Sequence, residues 1–201
     1  PSASSAASDV YKRQIMQGIN NYIKKKPKKV IFADGEDENM LKAAIAFKNS
    51  NLGIPILVGK EDLIKSQLKK IGYSENFDIE ITNSKDAKKR EKYVKYLFGK
   101  LQRNKGMLER DCDRLIRNDR VIWASCMVAC KDADAMVTGN TRRYSSSLEK
   151  ITQVVDPRAG EIMFGLNLIV NRGKTIFICD TSVIEYPDAN QLAEMAKSAA
   201  R

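Results

Sequence analysis

A short segment in the second half of the chain combines two arginines with several hydroxyl side chains. It reads TGNTRRYSSS over residues 138–147. Guanidinium groups make charge-assisted contacts with phosphate oxygens, and the N–H groups at the start of a helix favour an anion. The segment therefore predicts a phosphate-binding loop at the start of a helix. Eight candidate ligand-binding residues follow from it: Thr138, Gly139, Asn140, Thr141, Arg142, Arg143, Tyr144 and Ser145.

The same segment also has a purely structural interpretation. Asn140 or Thr141 would then cap the following helix, because short polar side chains accept hydrogen bonds from the first N–H groups of a helix. Arg142 and Arg143 would be solvated. The residue types alone leave the binding and the structural interpretations open.

Other polar residues lie next to predicted strands. Asp180 and Thr181 end a strand and could face the same cleft as the phosphate-binding loop, or they could form a turn. Asp132 and Asp134 come just before a strand and are interpreted as turn residues. The acids of residues 34–38 lack the alternating spacing of a calcium loop, so we predict a strand-to-helix turn there.

Several kinds of chemistry are excluded by the composition. The chain has no histidine, so it cannot assemble a Ser-His-Asp or Cys-His nucleophile, and a zinc site is not expected. The four cysteines form no CxxC pair, which predicts reduced thiols in a cytoplasmic protein. No dinucleotide-binding GxGxxG or Walker A sequence occurs. We therefore assign no catalytic residue and no metal ligand.

The chain is basic, with a net charge of +10 from 35 Lys and Arg against 25 Asp and Glu. A basic chain raises the possibility of nucleic-acid binding. However, the lysines are scattered and do not alternate with aromatic residues, and the run at residues 24–29 is predicted to lie in a connector. No apolar run approaches the about 18 residues that a membrane span needs. Neither nucleic acid nor a membrane is a predicted partner.

Apolar periodicity places the elements that must position the candidate loop. Predicted helices alternate with predicted strands at residues 29–33, 55–58, 77–82 and 135–137. The helix after the first strand is expected to bury Met40, Ala43, Ala44 and Phe47, and another helix is predicted over 141–154. This alternation predicts an α/β fold with a mainly parallel sheet flanked by helices.

The pattern changes after residue 157. Two strands, at 162–170 and 175–180, are predicted to form a hairpin around residues 171–174, and a helix follows from Asp188. Residues 1–14 resemble a translated sequencing adapter, so we predict an artefactual or disordered leader there. The predicted organisation is a linker helix over 15–28, a first α/β domain over 29–157, and the truncated start of a second α/β domain over 158–201. The chain is thus expected to be a fragment of a longer protein.

Four segments together carry a family resemblance: KKVIFADGEDENMLKAA, RDCDRLI, CMVACKDADAMVTG and FICDTSVIEYPDANQLAEMA. From about residue 15 to its end, the chain resembles the phosphotransacetylase-like C-terminal domain of bacterial NADP-dependent malic enzymes. In that family the domain follows a module that converts malate and NADP to pyruvate, CO2 and NADPH. The domain is related to phosphate acetyltransferases, whose two-domain α/β fold binds coenzyme A.

The resemblance implies a regulatory and oligomerising unit that senses acetyl-CoA or a related acyl-CoA. It implies a homo-oligomeric cytoplasmic parent with the malic enzyme module in cis, and NADP with Mg or Mn in that parent. No cofactor is implied for the fragment itself.

Departures from the transferase pattern favour regulation over catalysis. Where active transferases carry an arginine in the helix after the loop, this chain has Glu149, which would repel phosphate. The segment with the transferases' catalytic serine would lie beyond Arg201. Two other hypotheses remain: a fragment of a phosphate acetyltransferase that moves acetyl between coenzyme A and phosphate, and a basic binding module without enzymatic activity.

Overall fold

A computed structural model describes residues 17–73, 78–171, 174–180 and 182–200. The described residues divide into two compact units. One spans Ile23–Asp156, and the other contains the residues after Asp156 together with those before Ile23. The leader predicted for residues 1–14 lies outside the described residues, and the domain boundaries named above stay predictions. Residues 17–25, within the predicted linker, form helix α1.

The larger unit is built around one parallel sheet. Its strands are β1 (Lys28–Phe32), β2 (Gly53–Val58), β3 (Glu80–Thr82) and β4 (Ala135–Val137). Their order in the sheet is β3-β2-β1-β4, and every neighbouring pair is parallel. The flanking helices are α2 (Glu38–Asn49), α3 (Glu61–Lys70), α4 (Ala87–Lys105), α5 (Glu109–Asn118), α6 (Arg120–Ala129) and α7 (Tyr144–Val154). The α/β fold class predicted from the sequence is confirmed.

Both faces of the sheet are covered by helices. Successive strand residues point to opposite faces, so neighbouring residues of one strand pack against different helices. Ile31 and Ile56 pack in a cluster with α4, α5, α6 and α7. Phe32 and Leu57 pack in a second cluster with α2 and α3. The apolar side chains of a central strand such as β1 are therefore buried on both faces, as expected of parallel sheets.

The buried face of α2 differs from the prediction at one residue. Met40 and Ala44 are buried as predicted, and Phe47 is half-buried against the second cluster, but Ala43 is exposed. The buried stripe is completed by Leu41 and Ile45 instead. Ala43 follows Leu41 by two residues, which is about 200° around a helix, so it faces away from the sheet.

The smaller unit contains the predicted hairpin and helix. β5 (Leu166–Asn171) pairs antiparallel with β6 (Lys174–Cys179), and α8 (Ala189–Ala199) begins with a capping box between Asp188 and Gln191. Strand β5 begins four residues later than predicted, because Leu166 pairs with Cys179, the last residue of β6. Within the described part of the chain, none of the helices is long and apolar enough to cross a membrane.

Candidate functional site

The strand order defines a crevice at the carboxyl ends of β1 and β4. The chain runs from β1 to β2, which lies on one side of β1, whereas β4 lies on the other side of β1. In open α/β sheets, ligands bind where the strand order reverses in this way. The loop after β1 (residues 34–37) and the loop after β4 (residues 138–143) therefore meet at the topological switch point. A hydrogen bond from the Ala33 N–H to the Val137 carbonyl holds the two strand ends together at 3.0 Å.

Three successive side chains of the β4–α7 loop are bound to three aspartates. Asn140 donates to Asp37 Oδ1 at 2.5 Å, and Thr141 donates to Asp34 Oδ1 at 2.7 Å. Arg142 Nη1 donates to Asp119 Oδ2 at 2.9 Å. Arg142 is thus ion-paired, which contradicts its interpretation as a solvated arginine.

Neither of the two residues considered as a cap for α7 caps it. The helix begins at Tyr144, three residues later than predicted, and its N-cap is Arg143, which makes no side-chain capping bond. Asn140 and Thr141 cannot cap it because their side chains are committed to the β1–α2 loop. As a result, no side chain from the N-cap position covers the first N–H groups of α7.

Asp119 joins α6, α7 and the β4–α7 loop, and it was not predicted from the sequence. Its Oδ1 accepts from the N–H groups of Val121 and Ile122 and so caps α6, while its Oδ2 accepts from Arg142 and from Lys150 on α7. Burial raises the pKa of Asp119, but the hydrogen bond from Lys150 and the charges of Arg142 and Lys150 outweigh burial and hold the pKa below its usual value. An aspartate just before an apolar helix is a helix-start signal that could have identified it.

Two oxygen atoms at the switch point are buried without a partner among the described residues. Asp34 is only 2% exposed, and its Oδ2 accepts no hydrogen bond. Thr138 Oγ1, at the end of β4, is also buried and unpaired. Buried polar atoms are nearly always hydrogen-bonded in folded proteins. These two atoms are therefore the candidate ligand contacts of the crevice.

The hydroxyl of Thr141 is expected to contribute measurably to stability. The substitution Thr141→Val keeps the shape of the side chain but removes the only hydrogen bond that the Asp34 carboxylate makes with the described residues. A hydrogen bond to a charged group contributes about 2 kcal/mol, so we expect the free energy of unfolding to fall by about that amount in urea denaturation. The matched control is Thr152→Val, whose hydroxyl bonds only to the Glu149 carbonyl on the same helix. Equal losses in the two variants would contradict the assigned role of Thr141.

The remaining candidate residues fall into two groups. Gly139 has a φ of +104°, and a Cβ there would meet no atom within 4 Å, so the backbone conformation and not a close contact requires glycine. Arg143, Tyr144 and Ser145 are exposed at the start of α7.

Asp180 lies in the smaller unit, where its carboxylate accepts from the N–H groups of Ser182, Val183 and Ile184. Burial raises the pKa of Asp180, and these backbone bonds lower it below its usual value. The Asp180 carboxylate therefore stabilises the turn that follows β6. Thr181 lies outside the described residues.

The two aspartates before β4 have structural partners. Asp132 accepts from the Tyr93 hydroxyl at 2.8 Å and from Lys92 at 2.7 Å, and Asp134 accepts from Lys28 at 2.8 Å. Both lie at the amino end of β4, the opposite edge of the sheet from the crevice. Nowhere in the described ranges do three or more His, Cys, Asp or Glu residues form a group that could hold a metal.

Comparison with known proteins gives consistent results. The family model for phosphate acetyl/butaryl transferase matches residues 14–201. The NADP-dependent malic enzyme of Rhizobium meliloti is 38% identical over 186 residues, which are 92% of this chain and 24% of that protein. The phosphate acetyltransferase of Helicobacter pylori is 29% identical over 92% of this chain and 35% of its own length. The chain thus spans only about a quarter to a third of these relatives.

Solved structures show the same fold. A phosphotransacetylase from Streptococcus pyogenes superposes with a TM-score of 0.77 and 25% sequence identity. The match covers 92% of this chain and 56% of that one. The fold described above is therefore shared with part of a phosphotransacetylase.

Proposed function

Because the chain belongs to the phosphate acetyl/butaryl transferase family, we propose that it is an acyl-CoA-sensing regulatory domain of an NADP-dependent malic enzyme. The observation that carries the proposal is the 38% identity to a malic enzyme of which the chain covers 24%. The phosphate acetyltransferase relative is 29% identical. In the longer parent, a malic enzyme module in cis would oxidise malate with NADP and Mg or Mn.

The effector's phosphates would bind at the start of α7. This helix has no side-chain cap, so its first N–H groups can face an anion. Arg143 is exposed at the N-cap position and adds a guanidinium group. Ser147, in the first turn, is 4% exposed, and its Oγ has no partner among the described residues. The exposed Glu149 further along α7 adds a negative charge that disfavours binding of the phosphate that would accept the acetyl group in a transferase.

Binding of acetyl-CoA to the 201-residue chain tests this proposal directly. We expect saturable heat in isothermal titration calorimetry, and we expect Arg143→Ala to weaken binding about tenfold, equivalent to losing one charge-assisted contact. Arg114→Ala, which removes an exposed arginine of α5, is the matched control and should bind as the unaltered chain does. An absence of binding, or an equal loss in both variants, would contradict the assigned site.

The runner-up function is acetyl transfer between coenzyme A and phosphate. The structural match to a phosphotransacetylase favours it. Its test is the formation of acetyl-CoA from acetyl phosphate and coenzyme A by the chain and by its longer parent. Sustained turnover that survives Glu149→Gln would favour this alternative over regulation.

The proposed parent is a cytoplasmic homo-oligomer, and light scattering after size-exclusion chromatography measures its subunit number.

A further inference from the structure

We infer that a second cleft, at the ends of β2 and β3, binds a compact oxyanion independently of the proposed acyl-CoA site. The cleft has a volume of about 280 Å³ and lies between these strand ends and the junction of α5 with α6. Val58–Lys60 and Asn83–Ser84 form its sheet side, and Asn118–Arg120 form its helix side. In open α/β sheets, ligands bind outside the carboxyl ends of the strands.

One residue that lines this cleft, Trp123, carries an N–H group without a partner among the described residues. Trp123, which lines the cleft, is 1% exposed, and its Nε1 makes no hydrogen bond with any described residue. An indole nitrogen is only a donor. A ligand that satisfies it must therefore present an acceptor oxygen.

The charge around the cleft also favours an anion. Its three cations are Lys60, Arg117 and Arg120, and its two carboxylates are Glu36 and Asp119. Both carboxylates already have cationic partners: Arg120 Nη1 lies 3.2 Å from Glu36 Oε2, and two cations from outside the cleft bind Asp119.

Arg117 is ion-paired with Asp113, with 2.6 Å between Nε and Oδ2, so Lys60 supplies the remaining positive charge. Its backbone N–H donates to Glu36 Oε1 at 2.8 Å, but its ammonium group forms no ion pair within the described part of the chain. The excess charge of the cleft is thus positive, and the Lys60 side chain can reach an anion without giving up another contact.

The size of the cleft limits the ligand. Sites for drug-sized molecules occupy about 300–1,000 Å³, so 280 Å³ suits a phosphate group or a small phosphorylated or carboxylated molecule but not an acyl-CoA. The apolar part of the lining, from Val58, Ile116 and Trp123, can accommodate a short carbon skeleton. This inference does not depend on the proposed function, because it concerns other strand ends and a different ligand.

The test uses the fact that Trp123 is the only tryptophan among 201 residues. Inorganic phosphate is titrated into the whole chain at constant ionic strength while tryptophan emission is recorded, with calorimetry in parallel. We expect a saturable response with a Kd of about 1 mM or below. A second titration with succinate distinguishes a phosphate site from a carboxylate site. If neither anion gives saturable emission or heat up to about 20 mM, the inference is overturned.

Substitutions locate the response. Lys60→Gln and Arg120→Gln should each weaken phosphate binding at least about fivefold, since each removes a cation from the lining. Lys70→Gln is the matched control, at an exposed position of α3, the helix that follows Lys60. It should leave phosphate binding unchanged. Arg143→Ala should also bind phosphate in this cleft with unchanged affinity, which separates this inference from the acyl-CoA proposal. Unaltered binding by both cleft variants would place the anion elsewhere and overturn the inference.

Discussion

Replacing Leu97 by alanine is expected to lower the free energy of unfolding by about 3 kcal/mol. Leu97 lies on α4 with 0% exposure, in the cluster that joins the helices to Ile31 and Ile56 of the sheet. Removing a buried leucine side chain costs its transfer free energy and leaves a cavity that neighbouring residues fill only in part, for a total of about 2–5 kcal/mol. Urea denaturation followed by the emission of Trp123, which belongs to the same cluster, measures this loss.

The matched control for this core substitution is Leu63→Ala on α3. Leu63 is 45% exposed, so the same chemical change there should cost about 0.5 kcal/mol. A similar loss at both positions would mean that α4 does not pack on the sheet as described. A Leu97 variant with unchanged stability would contradict the packing of this face altogether.

The architecture could be predicted because local patterns determine it. The strand over 135–137 and the helix from Asp188 were both predicted, and the structure has β4 at Ala135–Val137 and α8 at Ala189–Ala199 with Asp188 as its N-cap. Both features depend on residues close together in the chain. The start of β5 was predicted four residues too early because it depends on where its partner strand ends.

The loop after β4 could be located from the sequence, but its contacts could not. Asn140 and Thr141 bond to aspartates that precede them by 103 and 107 residues. Hydroxyl and amide side chains near a helix start normally satisfy local N–H groups, which is why capping was one of the two interpretations of this loop. The aspartates that compete for these side chains follow β1, and they come close only in the folded sheet, where β1 lies beside β4. Whether the loop binds phosphate stays a prediction, which the Arg143 variant tests.

Asp119 also depends on residues distant in the chain. Replacing it by alanine is expected to lower the free energy of unfolding by about 3 kcal/mol. Loss of the α6 cap contributes about 1 kcal/mol. The rest comes from Arg142 and Lys150, which are half-buried and would lose their shared counter-ion. Asp119→Asn keeps an oxygen for the cap and removes only the charge, so it should cost about 2 kcal/mol. Glu91→Ala, which breaks an exposed pair with Lys95, is the control and should leave the free energy of unfolding nearly unchanged, because solvent screens an exposed ion pair.

The pH dependence separates the charge of Asp119 from its cap. Because the folded pKa of Asp119 lies below its usual value, its charge stabilises the fold above the unfolded pKa of about 3.9, and this contribution is lost as the pH falls through the folded pKa. The difference in stability between the unaltered chain and Asp119→Asn should therefore be full at neutral pH and shrink below about pH 4. A difference that stays constant over this range would assign the effect to geometry alone, and the ion pairs with Arg142 and Lys150 would then not hold the loop after β4 in place.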